Sequence, residues 1–544
     1  MSLRLRCLCE SNVNIVRRRA ETAPLAAAPR IAMVHTAADQ HPKGPIHPMT
    51  LRKVASALAA TLVLLLAVAI AALWIDPPDL LRVGTNYTAK IVCSNVFLAG
   101  RDPDEVLHSD VQSPGIALLR LMQVSVDPQQ KVVHAGLLGF IGHGLALARP
   151  TTGCAAIPDG NLEFARRVDA LIAPAAPVNS ATTPTASPTA VGSIPTPAGA
   201  RPDSATTTAG NAPAAPTNAA APWPDGNAAT PNSSVERVLA DDTLAGPGMR
   251  ALLVVDHGRL VAERYGAGFS AAIPLLGWSM TKSVLAGLVG ILIKEGQLTL
   301  EQSAGWSDPG DPRGRIHIAD LLSMTSGLRF NESYGVVSDV TRMLYLQPDA
   351  AGFAHEQPLQ HPPGEVWSYS SGSANILSRI VQDAAGKLGA HVARVKLFDP
   401  LGMTSATMET DEDGTLVGSS YMYATARDWA RYAQLLVQGG MWQGQALLPT
   451  GYVARMATPV AASGGQYGQG LVWLWGSDAL VPGQNPDTAF GIPADTFWME
   501  GHDGQSIALI PSRQLVIVRL GLTPRRDGYR PQPLVKAVLA ATAQ

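Results

Sequence analysis

Charged residues are scarce. Asp, Glu, Lys and Arg make up 15% of the 544 residues and nearly cancel, leaving a formal net charge of -2. Nothing in that balance points to a nucleic-acid surface. Cysteine is scarcer still: there are four, Cys7, Cys9, Cys93 and Cys154, and none lies in the C-terminal half. No Cys-x-x-Cys pair exists, which argues against a zinc ribbon or a thioredoxin-like site. The 12 histidines are scattered and form no His-x-His-x-Asp cluster, so a metallo-hydrolase is disfavoured and no metal or cofactor is expected. Only one apolar run is long enough to span a bilayer, which disfavours transport.

What is abundant is apolar surface, at 46% of residues, and turn formers, with Gly 51 and Pro 42. Part of the apolar excess sits near the N-terminus. Residues 1–48 are Arg- and Ala-rich without periodicity and read as an unstructured extension, with Met49 an alternative start. Arg52 and Lys53 then precede an uncharged run, Val54 to Ile75, read as a retained signal anchor within 49–76. Ala67-Val68-Ala69 leaves cleavage open as the alternative. Positive charge before the run, and Asp76 and Asp79 after it, put the remainder outside the cytoplasm, in a bacterium the periplasm, anchored to the inner membrane through 54–75. Residues 77–172 read as a small folded region with helical stretches and no chemical motif. Its Cys93 and Cys154 form a candidate disulfide for an oxidising compartment, with two buried thiols as the alternative.

Residues 173–235 are almost all Ala, Pro, Thr, Ser, Gly and Asn. Such a segment buries too little apolar surface to offset its ordering entropy, so a disordered tether is expected. Normal globular composition resumes over 236–544. Met249–Val255 and Arg259–Arg264 flank Asp256-His257-Gly258, a hairpin signal. Ser279–Glu295 reads as an apolar helix ending at Gly296. A helical middle, roughly 316–456, is followed by expected strands at Gly468–Trp475, Gln505–Ile510 and Gln514–Gly521, and a helix at Gln532–Ala541. Strands from both ends around a helical middle imply an α+β domain whose antiparallel sheet is built from both termini.

Three clusters carry chemistry. Ser279 and Lys282 open the apolar helix three residues apart, which puts them on one face. A serine hydroxyl needs a neighbouring base, and a desolvated lysine can serve as that base. Taken alone the spacing is weak, because an ordinary surface lysine gives the same pattern; the apolar run Val284–Ile293 behind it argues that Lys282 is buried. Pro362–Gly372 delivers Tyr369 and Ser371 on a polar-aromatic loop, Tyr369 as a proton relay or a packing residue. Gly501-His502-Asp503-Gly504-Gln505 precedes a strand, where glycine lets a ligand approach the backbone; the alternative is an exposed loop. The backbone N–H groups of Ser279 and Gln505 are candidates for an oxyanion hole.

The order Ser-x-x-Lys, Tyr-x-Ser, His-x-Gly resembles the serine beta-lactamase and penicillin-binding-protein superfamily, in particular its class C-like branch of esterases, D-aminopeptidases and 6-aminohexanoate-dimer hydrolases. Ala319–Leu328, Leu397–Met403 and Tyr423–Gly440 also look like that family. The resemblance covers nearly all of 236–544. It implies a beta-lactamase-like fold with a helical subdomain and an acyl-enzyme on Ser279. Lys282 and Tyr369 would share the proton transfers, and Ser371, His502, Asp503 and Gly504 would meet the substrate. Two places depart from the family pattern: Ser371 stands where Asn is common, and His502 stands where beta-lactamases carry Lys. The expected substrate is therefore a small ester or amide. A peptidoglycan carboxypeptidase or beta-lactamase, and an inactive cell-wall-binding domain, are the alternatives.

Overall fold

The computed structural model describes residues 51–114, 116–172, 221–477 and 484–543. Residues 1–48, with Cys7 and Cys9, and residues 173–220 of the expected tether lie outside them. The chain divides into two units, Met1–Leu66 and Ala67–Gln544. The division falls within helix α1, Leu51–Ile75. Lys53–Ile75 has a mean hydropathy of 2.7 and is long and apolar enough to cross a bilayer; a signal sequence has the same character.

The second unit begins with α2, Asp79–Phe97, laid over a four-stranded antiparallel sheet: β1 Met122–Asp127, β2 Val132–Leu137, β3 Ile141–Arg149 and β4 Gly153–Ala156. Helical stretches were expected in 77–172, yet its apolar Leu137–Leu147 is a turn and a strand. A short apolar run does not distinguish the two states. Gly144 is what lets α2 lie so close to β3: a Cβ there would stand 2.3 Å from the Thr85 carbonyl. Cys93 on α2 and Cys154 on β4 form a disulfide across this layer.

The larger part has a five-stranded antiparallel sheet. One side of it is the hairpin of β5, Met249–Asp256, and β6, Arg259–Tyr265, with β6 at the edge. The turn His257-Gly258 has φ of 48° and 74°, the double left-handed geometry that matches strand twist. Helix α3, Met280–Lys294, runs through the core and is buried from Met280 to Leu292. The helical middle contains α4, Asp339–Tyr345, α5, Ser371–Ala384, and α6, Ala426–Val437. The chain then returns to the sheet as β7, Phe497–Gly501, β8, Gln505–Ile510, and β9, Leu515–Gly521, before α7, Gln532–Thr542. The sheet order β7-β8-β9-β5-β6 joins both ends of the domain, giving a beta-lactamase-like α+β design.

Two further expectations need correction. Gly468–Trp475 is not a strand: Leu471 has φ 57°, and Trp473 alone bridges to Trp498, on β7. Residues 221–235, assigned to the expected tether, are folded. Trp223 is 2% exposed, Arg431 donates to the carbonyls of Pro224 and Gly226, and Asn232 caps the helix Ser233–Leu239. One indole supplies the apolar burial that the rest of that composition lacks.

The region 77–172 and the larger part form one unit through buried polar contacts. Lys90 on α2 pairs with Glu409, which also accepts from Ser94 Oγ at 2.9 Å and from Cys154 N at 2.6 Å. Asn86 donates to the Tyr345 carbonyl at 2.8 Å. Arg149 on β3 donates to the carbonyls of Asp411 and Glu412, both at 2.6 Å. Asp110 accepts from Arg101 and from Arg250 of β5.

Candidate active site

Ser279 stands at the N-terminus of α3, half-buried. Trp278 before it holds φ +48°, a left-handed backbone that an indole side chain rarely adopts, and strain of this kind concentrates at functional sites. One turn on, Lys282 is 1% exposed. Its Nζ lies 3.1 Å from Ser279 Oγ, 3.1 Å from Ser371 Oγ and 2.7 Å from the Ser419 carbonyl. Burial holds its pKa down, to about 8, while the Glu332 charge acts the other way.

Tyr369 presents its ring 4.8 Å from Lys282 Nζ and lines the same cavity as Ser279. Desolvation, and secondly the Glu332 charge, push the phenol pKa far up, so it is a neutral proton donor at physiological pH. Stacking on Trp473 at 5.4 Å and an edge contact with Tyr467 fix the ring.

Ser279 and Tyr369 open on a cavity of about 580 Å³ whose far wall is the β7–β8 turn, Gly501 to Gly504. His502 packs edge-on against Trp278 at 5.8 Å, and Asp503 holds φ 56°. His502, Asp503 and Gly504 thus line the same cavity as Ser279. Gln505 follows this turn as the first residue of β8; its buried side chain is spent on both backbone groups of Gly521, donating to the carbonyl and accepting the N–H, which pins β8 to β9. Ser371 is displaced from its expected place. It is fully buried as the first residue of α5, behind Lys282, and its Oγ donates to Glu332 Oε1 at 2.5 Å. A serine is short enough to sit between the two charged groups, so it joins them instead of facing the cavity.

Glu332 was not singled out in the sequence. It accepts from the Ser371 N–H at 2.8 Å, capping α5, and from the Tyr334 hydroxyl at 3.1 Å. Glu500 also lines the cavity, and burial raises its pKa to about 7. Both lie in irregular or strand-end segments with no local signature. Trp473 and Trp475 also line the cavity. Trp498 is buried, donating to Asp487 at 2.8 Å.

Residues 237–538, more than half of the chain, match the family model described as Beta-lactamase. The chain belongs to the beta-lactamase family. A 6-aminohexanoate-dimer hydrolase of Paenarthrobacter ureafaciens is 25% identical over 309 residues, covering 51% of this chain and 73% of that protein. Two solved structures are similar in part. A penicillin-binding protein homologue from Caulobacter crescentus has 16% identity, covers 57% of this chain and 97% of its own, and gives a TM-score of 0.43. A family VIII carboxylesterase has 16% identity, with 57% and 97% covered and a TM-score of 0.42. The family match begins at residue 237, so α2 and the sheet β1–β4 lie outside it.

Proposed function

We propose that this chain is a serine hydrolase that cleaves an ester or amide through an acyl-enzyme on Ser279. The arrangement around Lys282 carries the reading. A neutral amine has two N–H bonds and one lone pair. Ser419 O can only accept, and Ser371 Oγ spends its own proton on Glu332, so these two take the N–H bonds. The lone pair is left for the Ser279 hydroxyl, which donates to it. A pKa near 8 makes the neutral form available close to physiological pH.

Ser279 Oγ attacks the carbonyl carbon as its proton moves to Lys282 Nζ. The oxyanion is held by the Ser279 N–H at the positive end of α3 and by the Gln505 N–H at the start of β8. Collapse expels the leaving group, which takes a proton from the Tyr369 hydroxyl; Lys282 restores that proton. Water then attacks the acyl-enzyme, with the neutral amine again as base, and frees Ser279.

The test is hydrolysis of a p-nitrophenyl acetate ester by the full chain and by Ser279→Ala, with fluorophosphonate labelling of Ser279. Turnover that falls by about 10³-fold or more in the variant is expected. No turnover and no labelling of folded protein would favour the binding-domain alternative.

The sequence around α1 supports a membrane-anchored placement with the catalytic unit outside the cytoplasm. Lys53 precedes the apolar run, acidic residues follow it, and the Cys93–Cys154 disulfide suits an oxidising compartment. Recovery of intact protein from the soluble cytosol would sink that placement.

A further inference from the structure

A second cavity, about 190 Å³, adjoins the first and shares Trp278, Tyr334, His502 and Asp503 with it. Its other walls come largely from outside the family match. Leu80, Val83 and Tyr87 project from α2, and Ile116 and Leu119 from the segment before β1; Val336 and Tyr345 close it from the main domain. Leu80, Ile116 and Val336 are exposed at the mouth, at 40%, 42% and 51%. The two cavities differ in character. The Ser279 side carries Glu332, Glu500 and Tyr369, whereas this branch is walled mainly by aliphatic and aromatic side chains. Apolar residues lining an opening beside a nucleophile suit an aliphatic chain, with the polar ends of the same molecule over Ser279.

We infer that α2 and the 116–119 segment build a binding channel for an aliphatic chain of the substrate, so that the preferred ester or amide carries a medium-length hydrocarbon tail. This deepens the hydrolase reading and rests on it. The region 77–172 is then a specificity element, not merely a spacer between α1 and the catalytic part. The channel holds the tail, and the shared wall of Trp278 and His502 sets where the tail ends and the carbonyl begins. Each methylene that leaves water should gain up to about fourfold in reaction with Ser279 until the channel is full.

The experiment uses the full chain and two readouts. Alkyl p-nitrophenyl phosphonates with methyl, butyl and decyl chains are timed for labelling of Ser279 by mass spectrometry. Decanoic acid carrying a terminal diazirine is photocrosslinked and its attachment mapped. The decyl reagent should label at least about tenfold faster than the methyl one. Val83→Trp, which fills the channel, and Val336→Trp, on an exposed loop where folding is not at stake, should each reduce that ratio towards one. Crosslinks should fall in 80–87, 116–119 or 334–345. If methyl phosphonate labels Ser279 but decyl gains nothing, or if both variants keep the wild-type ratio, this inference fails while the hydrolase reading stands. Crosslinks confined to other segments also overturn it. If no phosphonate touches Ser279, the hydrolase reading fails and takes this one with it.

Discussion

At the residue scale, the site turns on which group holds a proton. Lys282 acts as base only when neutral, so kcat/KM should rise with pH through a midpoint near 8. Glu332 holds a negative charge near the ammonium and so raises its pKa against the larger effect of burial. Glu332→Gln removes that charge. The amine then loses its proton more readily, and the rising limb should move to lower pH. A pH profile of the variant reads this directly, and an unmoved or upward-shifted midpoint would refute the coupling. The Ser279–Lys282 pair was legible because i,i+3 spacing on a helix is a local rule, and the apolar run behind it implied burial. Glu332 was not. Its link to Lys282 runs through Ser371, 39 residues further on, and no local pattern announces a contact of that kind. The same limit explains Ser371. It lies in a motif that was noticed, but which way a side chain faces depends on the neighbours it meets after folding.

At the element scale, the hairpin β5–β6, helix α3 and strands β8 and β9 follow from turn residues and periodicity. Trp473 fails the same reading because its bridge to Trp498 is one isolated pair in an irregular loop. The seat of α2 was not foreseeable either. Its buried face includes Asn86, Thr88, Lys90 and Asn95, an unusually polar surface for a packed helix. Those groups make sense only opposite Glu409, Tyr345 and the β3 backbone. Lys90→Met should therefore cost about 3–5 kcal/mol, because it strands the Glu409 carboxylate in the core. Pairing it with Glu409→Leu should recover much of that loss. Urea unfolding of the two single variants and the double variant gives the coupling. Equal, additive losses would mean that the pair does not set the docking.

At the scale of the whole molecule, the family match and the folded unit do not have the same edges. The match starts at 237, whereas the compact unit extends back to Ala67. Composition alone sets a boundary at 173–235, but sequence distance says nothing of what packs on its far side. A chain cut to 237–544 keeps Ser279, Lys282 and Tyr369. It also leaves Glu409 without Lys90, bares Tyr421, which packs beneath the Lys90 ammonium, and loses the α2 wall of the apolar channel. The fragment should unfold at a lower temperature than a chain starting at residue 67, or aggregate, since a newly exposed apolar face is an association surface. Parallel thermal scans of the two chains measure this. If both melt together and label equally fast with methyl and decyl phosphonates, residues 77–172 are a passenger on an autonomous hydrolase. If the fragment is weaker, and keeps reaction with the methyl reagent while losing the decyl preference, the N-terminal region contributes both stability and specificity.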